Sequence, residues 1–359
     1  MINIIKKRGI SLEIKEEKTK PEKVYEIGLS ILRPILALFV VMTHCYNYNY
    51  ASKSIIILYH KSDSFLFPVR VFFIMSFYFS YKTLMSSDYK KKYERFLRLI
   101  IPYFLWPIIF FYLDRILKYF IYIYPLISFK LLIRQFLIGA PVIGPLWYQW
   151  NLIVISILVN VFVLFFKNHY NFIFIIISIV AFIYQYNGKN KNFVMRYDPD
   201  RNSTIGRFLE ILPCCIIGFL IASSGIMNFF KKLKLKVFIA CIFINYLIIK
   251  YDVFINISGF AYCGVKMFIV SICIFIGFAV FPSELIKNKI IIKIIKYITN
   301  YTAGVYYLHL PLDRYLNKII IPIQKRTFKG CVINYIFCYF ICFFGCLFFK
   351  KTRLRNLFQ

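Results

Sequence analysis

The segment RPILALFVVMTH holds Arg33 and His44 inside an otherwise apolar run, eleven positions apart. On an α-helix that separation is about three turns and roughly 16 Å, within about 20° of the same face. An imidazole that titrates near neutrality can take a proton from an attacking hydroxyl, and a guanidinium can hold an anion. Ionisable groups are costly in a bilayer and mark function by default. Taken singly, Arg33 also reads as a snorkelling anchor and His44 as a hydrogen-bonded packing residue. Their shared face favours a joint chemical role.

Arg95 and Arg98 stand at i and i+3 just before IPYFLW, so they share a helix face. Two guanidinium forks can grip phosphate there; the alternative is a pair of cytoplasmic anchors. Gly144-Pro145-Leu146-Trp147-Tyr148 opens another apolar run. By residue type alone it reads mostly as an interfacial aromatic belt. His309 in YYLHLPL is a further imidazole inside an apolar run, and Glu210 is a candidate partner for a histidine. The ten cysteines form no CxxC pair, and Cys338, Cys342 and Cys346 step by four. They read as small packing residues on one helix face, so neither a metal site nor a disulfide is expected.

These residues need a scaffold, and composition defines its class. Hydrophobic residues make up 60% of the 359, aromatics 20% and charged residues 17%. A soluble domain carries about 25% charge. That excludes an ordinary soluble enzyme, a disordered chain and a disulfide-stapled secreted module. Apolar runs of spanning length fall at about 27–48, 65–86, 98–124, 143–166, 170–187, 205–224, 234–251, 258–281, 297–315 and 331–349. Apolar all round, they are helical spans rather than the alternating strands of a barrel. The expected fold is an all-α, polytopic integral membrane protein of about ten transmembrane helices. The shorter amphipathic segment 128–140 (SFKLLIRQFLIGA) reads as an interfacial helix.

Net charge is +31. The basic residues sit in short clusters between apolar runs, which is the pattern of loops retained on the cytoplasmic side, and no nucleic-acid partner is read from them. With alternating spans, KKLKLK, KNKIIIKIIK and KKTRLR fall on the same side as the basic N-terminal tail. Both termini are therefore expected in the cytoplasm. The expected division is a cytoplasmic tail at 1–24, a membrane domain at 25–350 and a second cytoplasmic tail at 351–359.

Arg33 and His44 in the first run, FFIMS in the second, RFLR before IPYFLW, GPLWY at the fourth and YYLHLPL near the end occur in one order. Over about residues 25–350 the chain resembles the membrane-bound acyltransferase 3 family, bacterial O-acyltransferases that modify surface glycans. The resemblance implies an acyl-CoA co-substrate, usually acetyl-CoA, with no permanently bound cofactor. It implies a polysaccharide or lipid-linked sugar acceptor, in the inner (cytoplasmic) membrane. It assigns catalysis to His44 with Arg33, the donor site to Arg95 and Arg98, and further motif positions to Trp147 and His309. Tyr148 and Glu210 join these as candidate pocket residues. Two departures stand out: Ser76-Phe77 replaces the family's usual Ser-Gly, and Arg70 stands where many relatives are uncharged.

Acyl transfer from a thioester to a sugar hydroxyl needs a base, worth about 10²–10⁴-fold. It also needs a donor to the carbonyl oxyanion, worth roughly 3–4 kcal/mol in a dry site. His44 is the expected base, with Thr43 or Asn47 as candidate donors. Cys45 points about 100° away from its neighbour on a helix, so direct transfer is favoured over a covalent acyl-enzyme. The other class of function with this many spans is a glycan transporter or polymerase. A polymerase usually has a large outer loop, and a transporter repeats or broken helices; incorporation of labelled acetyl-CoA separates these from an acyltransferase.

Overall fold

Backbone that enters hydrocarbon must satisfy its own N–H and C=O groups, and a single apolar run can do so only as a helix. The structure, a computed structural model, describes residues 27–44, 67–121, 128–139, 146–166, 169–188, 204–251, 265–319 and 328–349. Among them there is no strand. The helices are α1 (Ile27–His44), α2 (Phe67–Leu84), α3 (Tyr89–Ile121), α4 (Phe129–Ile138), α5 (Leu146–Phe166), α6 (Tyr170–Gly188) and α7 (Thr204–Ser224). They continue with α8 (Ile226–Lys232), α9 (Lys234–Lys250), α10 (Val265–Ala279), α11 (Lys289–Thr299), α12 (Thr302–Ile319) and α13 (Phe328–Phe349). A 3₁₀ turn at Ser283–Leu285 precedes α11.

The bundle is built from inside out. α1 packs against α2, α10, α11, α12 and α13, and α2 packs against α1, α5, α7 and α10. Leu29, Leu32, Leu36, Ala37, Val40 and Val41 of α1 are all buried. The α2–α7 contact is so close that a Cβ on Gly218 would overlap the backbone of Ile74. Gly225 takes the left-handed conformation at φ 69° and turns the chain by 73° between α7 and α8. Only glycine adopts that φ without steric cost.

Polarity runs opposite to that of a soluble protein. Arg70, Asp114, Gln149, Asn151, Ser156 and Asp313 are buried. Phe165, Phe172, Phe344 and Phe348 are exposed. Outward aromatics beside inward amides and charges suit a hydrocarbon surround. By length and composition, Tyr89–Ile116 of α3 and all of α5 can cross a bilayer, and the bent α7–α8 pair makes a third if it is one span. Shorter apolar stretches lie at Ile27–Val41, Tyr170–Ala181, Met267–Ala279 and Tyr335–Phe348. The protein is an all-helical membrane protein.

Three sequence expectations meet the structure here. The amphipathic segment 128–140 forms the short helix α4. Cys338, Cys342 and Cys346 line one buried face of α13. The segment read as a basic loop, KNKIIIKIIK, instead forms most of a helix, α11, and the run expected at 297–315 breaks after Thr299 before α12 begins. Asn288 starts α11 by accepting from the backbone N–H of Ile290 at 2.8 Å, as an N-cap should.

Candidate functional site

α1, α2, α3, α5, α11 and α12 meet around a cavity of about 330 Å³. That is within the ~300–1,000 Å³ of small-molecule sites. Its charged lining residues are Arg33 from α1 and Arg95 from α3, with no carboxylate among the described residues that line it. Hydroxyls line it too: Ser76 and Ser80 from α2, Tyr148 from α5, Thr299 at the end of α11, and Thr302 and Tyr306 from α12.

The two arginines are held differently. The Arg33 guanidinium carbon sits 4.9 Å from the centroid of the Phe79 ring, a cation–π distance. Arg95 Nε donates to Ser80 Oγ at 2.8 Å, and Ser80 in turn donates to the Ser76 carbonyl one turn back. That leaves Arg95 Nη1 buried with no hydrogen-bond partner among the described residues; Thr302 Oγ1 is in the same position. Two buried donors without acceptors cost free energy unless something accepts from them.

Aromatic rings form one wall. Phe72, Tyr148 and Tyr306 lie with ring centroids 5.3–6.5 Å apart. Tyr148 Oη is 3.0 Å from Ser76 Oγ. Beside this wall, Tyr307 Oη donates to Gln149 Oε1 at 2.6 Å, and Gln149 Nε2 donates to the Leu99 carbonyl at 2.9 Å. This chain ties α12 to α5 and α5 to α3.

The sequence candidates separate accordingly. Arg33, Arg95 and Tyr148 share the cavity. Arg98 is exposed, with Nε donating to the Glu94 carbonyl at 3.2 Å, so the structure does not bring both arginines of RFLR into one cavity. Trp147 is buried against Phe73, with ring centroids 6.2 Å apart, and does not line the cavity. His309 is buried behind the wall, its ring 5.8 Å from that of Tyr306 and its Nδ1 3.3 Å from the Val305 carbonyl oxygen. Glu210 is half-buried on α7, outside the cavity lining. α1 runs as helix as far as His44, but the His44 side chain, and Asn47 beyond it, lie outside the described residues.

The model of the acyltransferase 3 family, described as an acyltransferase domain, matches residues 26–351. The chain belongs to the acyltransferase 3 family. No curated protein and no solved structure matches it. Family membership and the apolar helices together make it a membrane acyltransferase, a transferase acting on acyl groups.

For this acyltransferase, the cavity residues given no site role from the sequence are mostly hydroxyls. Ser76 and Ser80 lie four apart on α2, and Tyr306 and Tyr307 precede His309 in the motif that drew attention to the imidazole. Hydroxyls at helical spacing inside an apolar run were the available signal. Serine and tyrosine are so common in membrane helices that the signal is weak without the fold.

Proposed function

We propose that the protein moves an acetyl group from acetyl-CoA to a hydroxyl of a cell-surface polysaccharide or its lipid-linked precursor. It works in the inner membrane, as a ten-span protein with both termini cytoplasmic. The observation that carries this reading is the cavity itself. Arg33 and Arg95 bring positive charge into an aromatic- and hydroxyl-lined space, and two buried donors there await an acceptor. An acyl-CoA has the matching chemistry, with phosphates for guanidinium forks and a flexible arm for an apolar aromatic wall.

In this mechanism the donor's phosphates rest at Arg95, with Arg98 at the outer rim, and the pantetheine arm follows α1 past Arg33. His44, about 16 Å further along α1, takes the proton of the acceptor hydroxyl as its oxygen bonds to the thioester carbon. The C–S bond then breaks, and the leaving thiolate of CoA recovers the proton from the imidazolium. Holding donor and acceptor in line contributes several kcal/mol beyond the base.

The test is incorporation of labelled acetyl from acetyl-CoA into glycan by membranes carrying the protein. Label should appear in an alkali-labile ester and be absent with empty membranes. No incorporation from any acyl-CoA into glycan or lipid-linked sugar would overturn the reading.

A further inference from the structure

α11 presents three stripes. At about 100° per residue, Ile292, Ile295 and Thr299 fall together on the side that packs against α1. Ile290, Ile291 and Ile294 fall on a second side and are exposed, at 68%, 46% and 51%. Lys289, Lys293 and Lys296 form the third stripe, within about 60° of one another and centred about 140° around the helix from the exposed isoleucines. Lys287 adds another exposed cation just before the helix, and no carboxylate occurs between Leu285 and Tyr301. The nearest one, Glu284, is already paired with Lys234.

Such a face suits neither water nor the protein interior. Branched aliphatic side chains exposed on one side and lysines on the other match a helix at the boundary of hydrocarbon and headgroups. Clustered lysines next to a membrane attract anionic lipid, each contributing about 1 kcal/mol near the surface.

We propose that α11 lies in the membrane interface and that its lysine stripe binds the phosphate groups of anionic phospholipid. The isoleucines enter the acyl-chain region while Lys287, Lys289 and Lys293 reach the headgroups. The charge of the stripe, unopposed by any carboxylate on the helix, selects anionic over zwitterionic lipid. Because α11 ends on Thr299, which lines the cavity, the bound lipid also steadies one wall of that cavity. The inference does not depend on which acyl group or acceptor the enzyme uses.

A photoreactive benzophenone amino acid placed at Ile294 of the full chain tests this directly. The protein is reconstituted in vesicles of equal parts phosphatidylglycerol and phosphatidylcholine with matched acyl chains. Irradiation should give lipid adducts in which phosphatidylglycerol exceeds phosphatidylcholine at least fivefold, taking roughly fivefold per lysine. Lys287→Gln, Lys289→Gln and Lys293→Gln together should bring the ratio close to one, whereas the three arginine replacements should keep it. Adducts to protein rather than lipid would assign the face to a second copy of the chain and overturn the proposal. So would an absence of adducts, equal yields from both lipids, or a preference that survives the glutamine replacements.

Discussion

Thr299 Oγ1 lies 2.5 Å from the carbonyl oxygen of Ser30. In a regular helix that carbonyl would accept from the N–H four residues on, but position 34 is proline and has none. Thr299 also lies 2.8 Å from the Ile295 carbonyl oxygen. Its single proton has the greater effect at Ser30, whose helical donor is missing. One side chain from α11 thus repairs the break that Pro34 makes in α1, one residue after Arg33.

Replacing Thr299 should therefore destabilise the α1–α11 contact. Thr299→Val keeps the shape and removes the hydroxyl that donates to the Ser30 carbonyl, at a cost of about 0.5–1.5 kcal/mol. Thr299→Ser should retain most of that stability. Thermal unfolding in detergent, comparing both variants with wild type, checks this. Equal stability of Val and wild type would mean that the carbonyl finds another donor.

The two arginines of RFLR should not be equivalent. Arg95 is half-buried at the cavity, with its Nη1 fully buried, and Arg98 is exposed on the outside. Arg95→Ala should raise the apparent KM for acetyl-CoA by tenfold or more, the equivalent of about 1.4 kcal/mol. Arg98→Ala should raise it only a few-fold. Arg95→Lys should recover part of the loss, since lysine brings the charge without the planar fork or the bond to Ser80. Equal effects at both positions would contradict the separation.

The Gln149–Tyr307 bond should be visible as a coupling. Gln149→Leu strands the Tyr307 hydroxyl and removes the donor to Leu99, while Tyr307→Phe strands Gln149 Oε1. Each single change should cost about 1–3 kcal/mol, and the double variant should cost less than the sum. A double-mutant cycle on unfolding free energy measures the coupling. Strict additivity would show that the two side chains act separately.

His44 is expected to act as a base and not as a bridge between helices. His44→Ala and His44→Gln should both abolish transfer while leaving insertion intact, because an amide hydrogen-bonds but takes no proton near neutral pH. Arg33→Lys should retain some activity if charge alone matters and little if the fork is needed. Acylation rates on purified protein decide it, and near-normal transfer by His44→Gln would remove His44 from the mechanism.

Some of this was legible along the chain and some was not, and the division follows the range of the forces. Apolar runs forecast helices well because a run in hydrocarbon has no other way to satisfy its backbone; α1, α2, α5, α7 and α13 begin and end within a few residues of expectation. α11 was missed because its three lysines, read as loop charge, concealed a period of isoleucines that only a helix gathers into stripes. The membrane class, the helical build and the order of the family motifs were likewise present in the sequence. So was the chemistry that its arginines and imidazoles could perform.

The sequence alone determined which residues could bear charge and which segments must be helical, because both follow from side-chain type and local backbone needs. Tertiary packing decided how those residues are used. Arg95 and Arg98 are about 60° apart around one helix, and no local rule says which will turn inward. Ser80 on a neighbouring helix captures Arg95, and Arg98 is left at the surface. Likewise, nothing near position 30 in the chain announces that its carbonyl will be met by residue 299. Contacts between distant segments depend on how six helices close around one cavity, and that closure is a property of their packing, not of any one run.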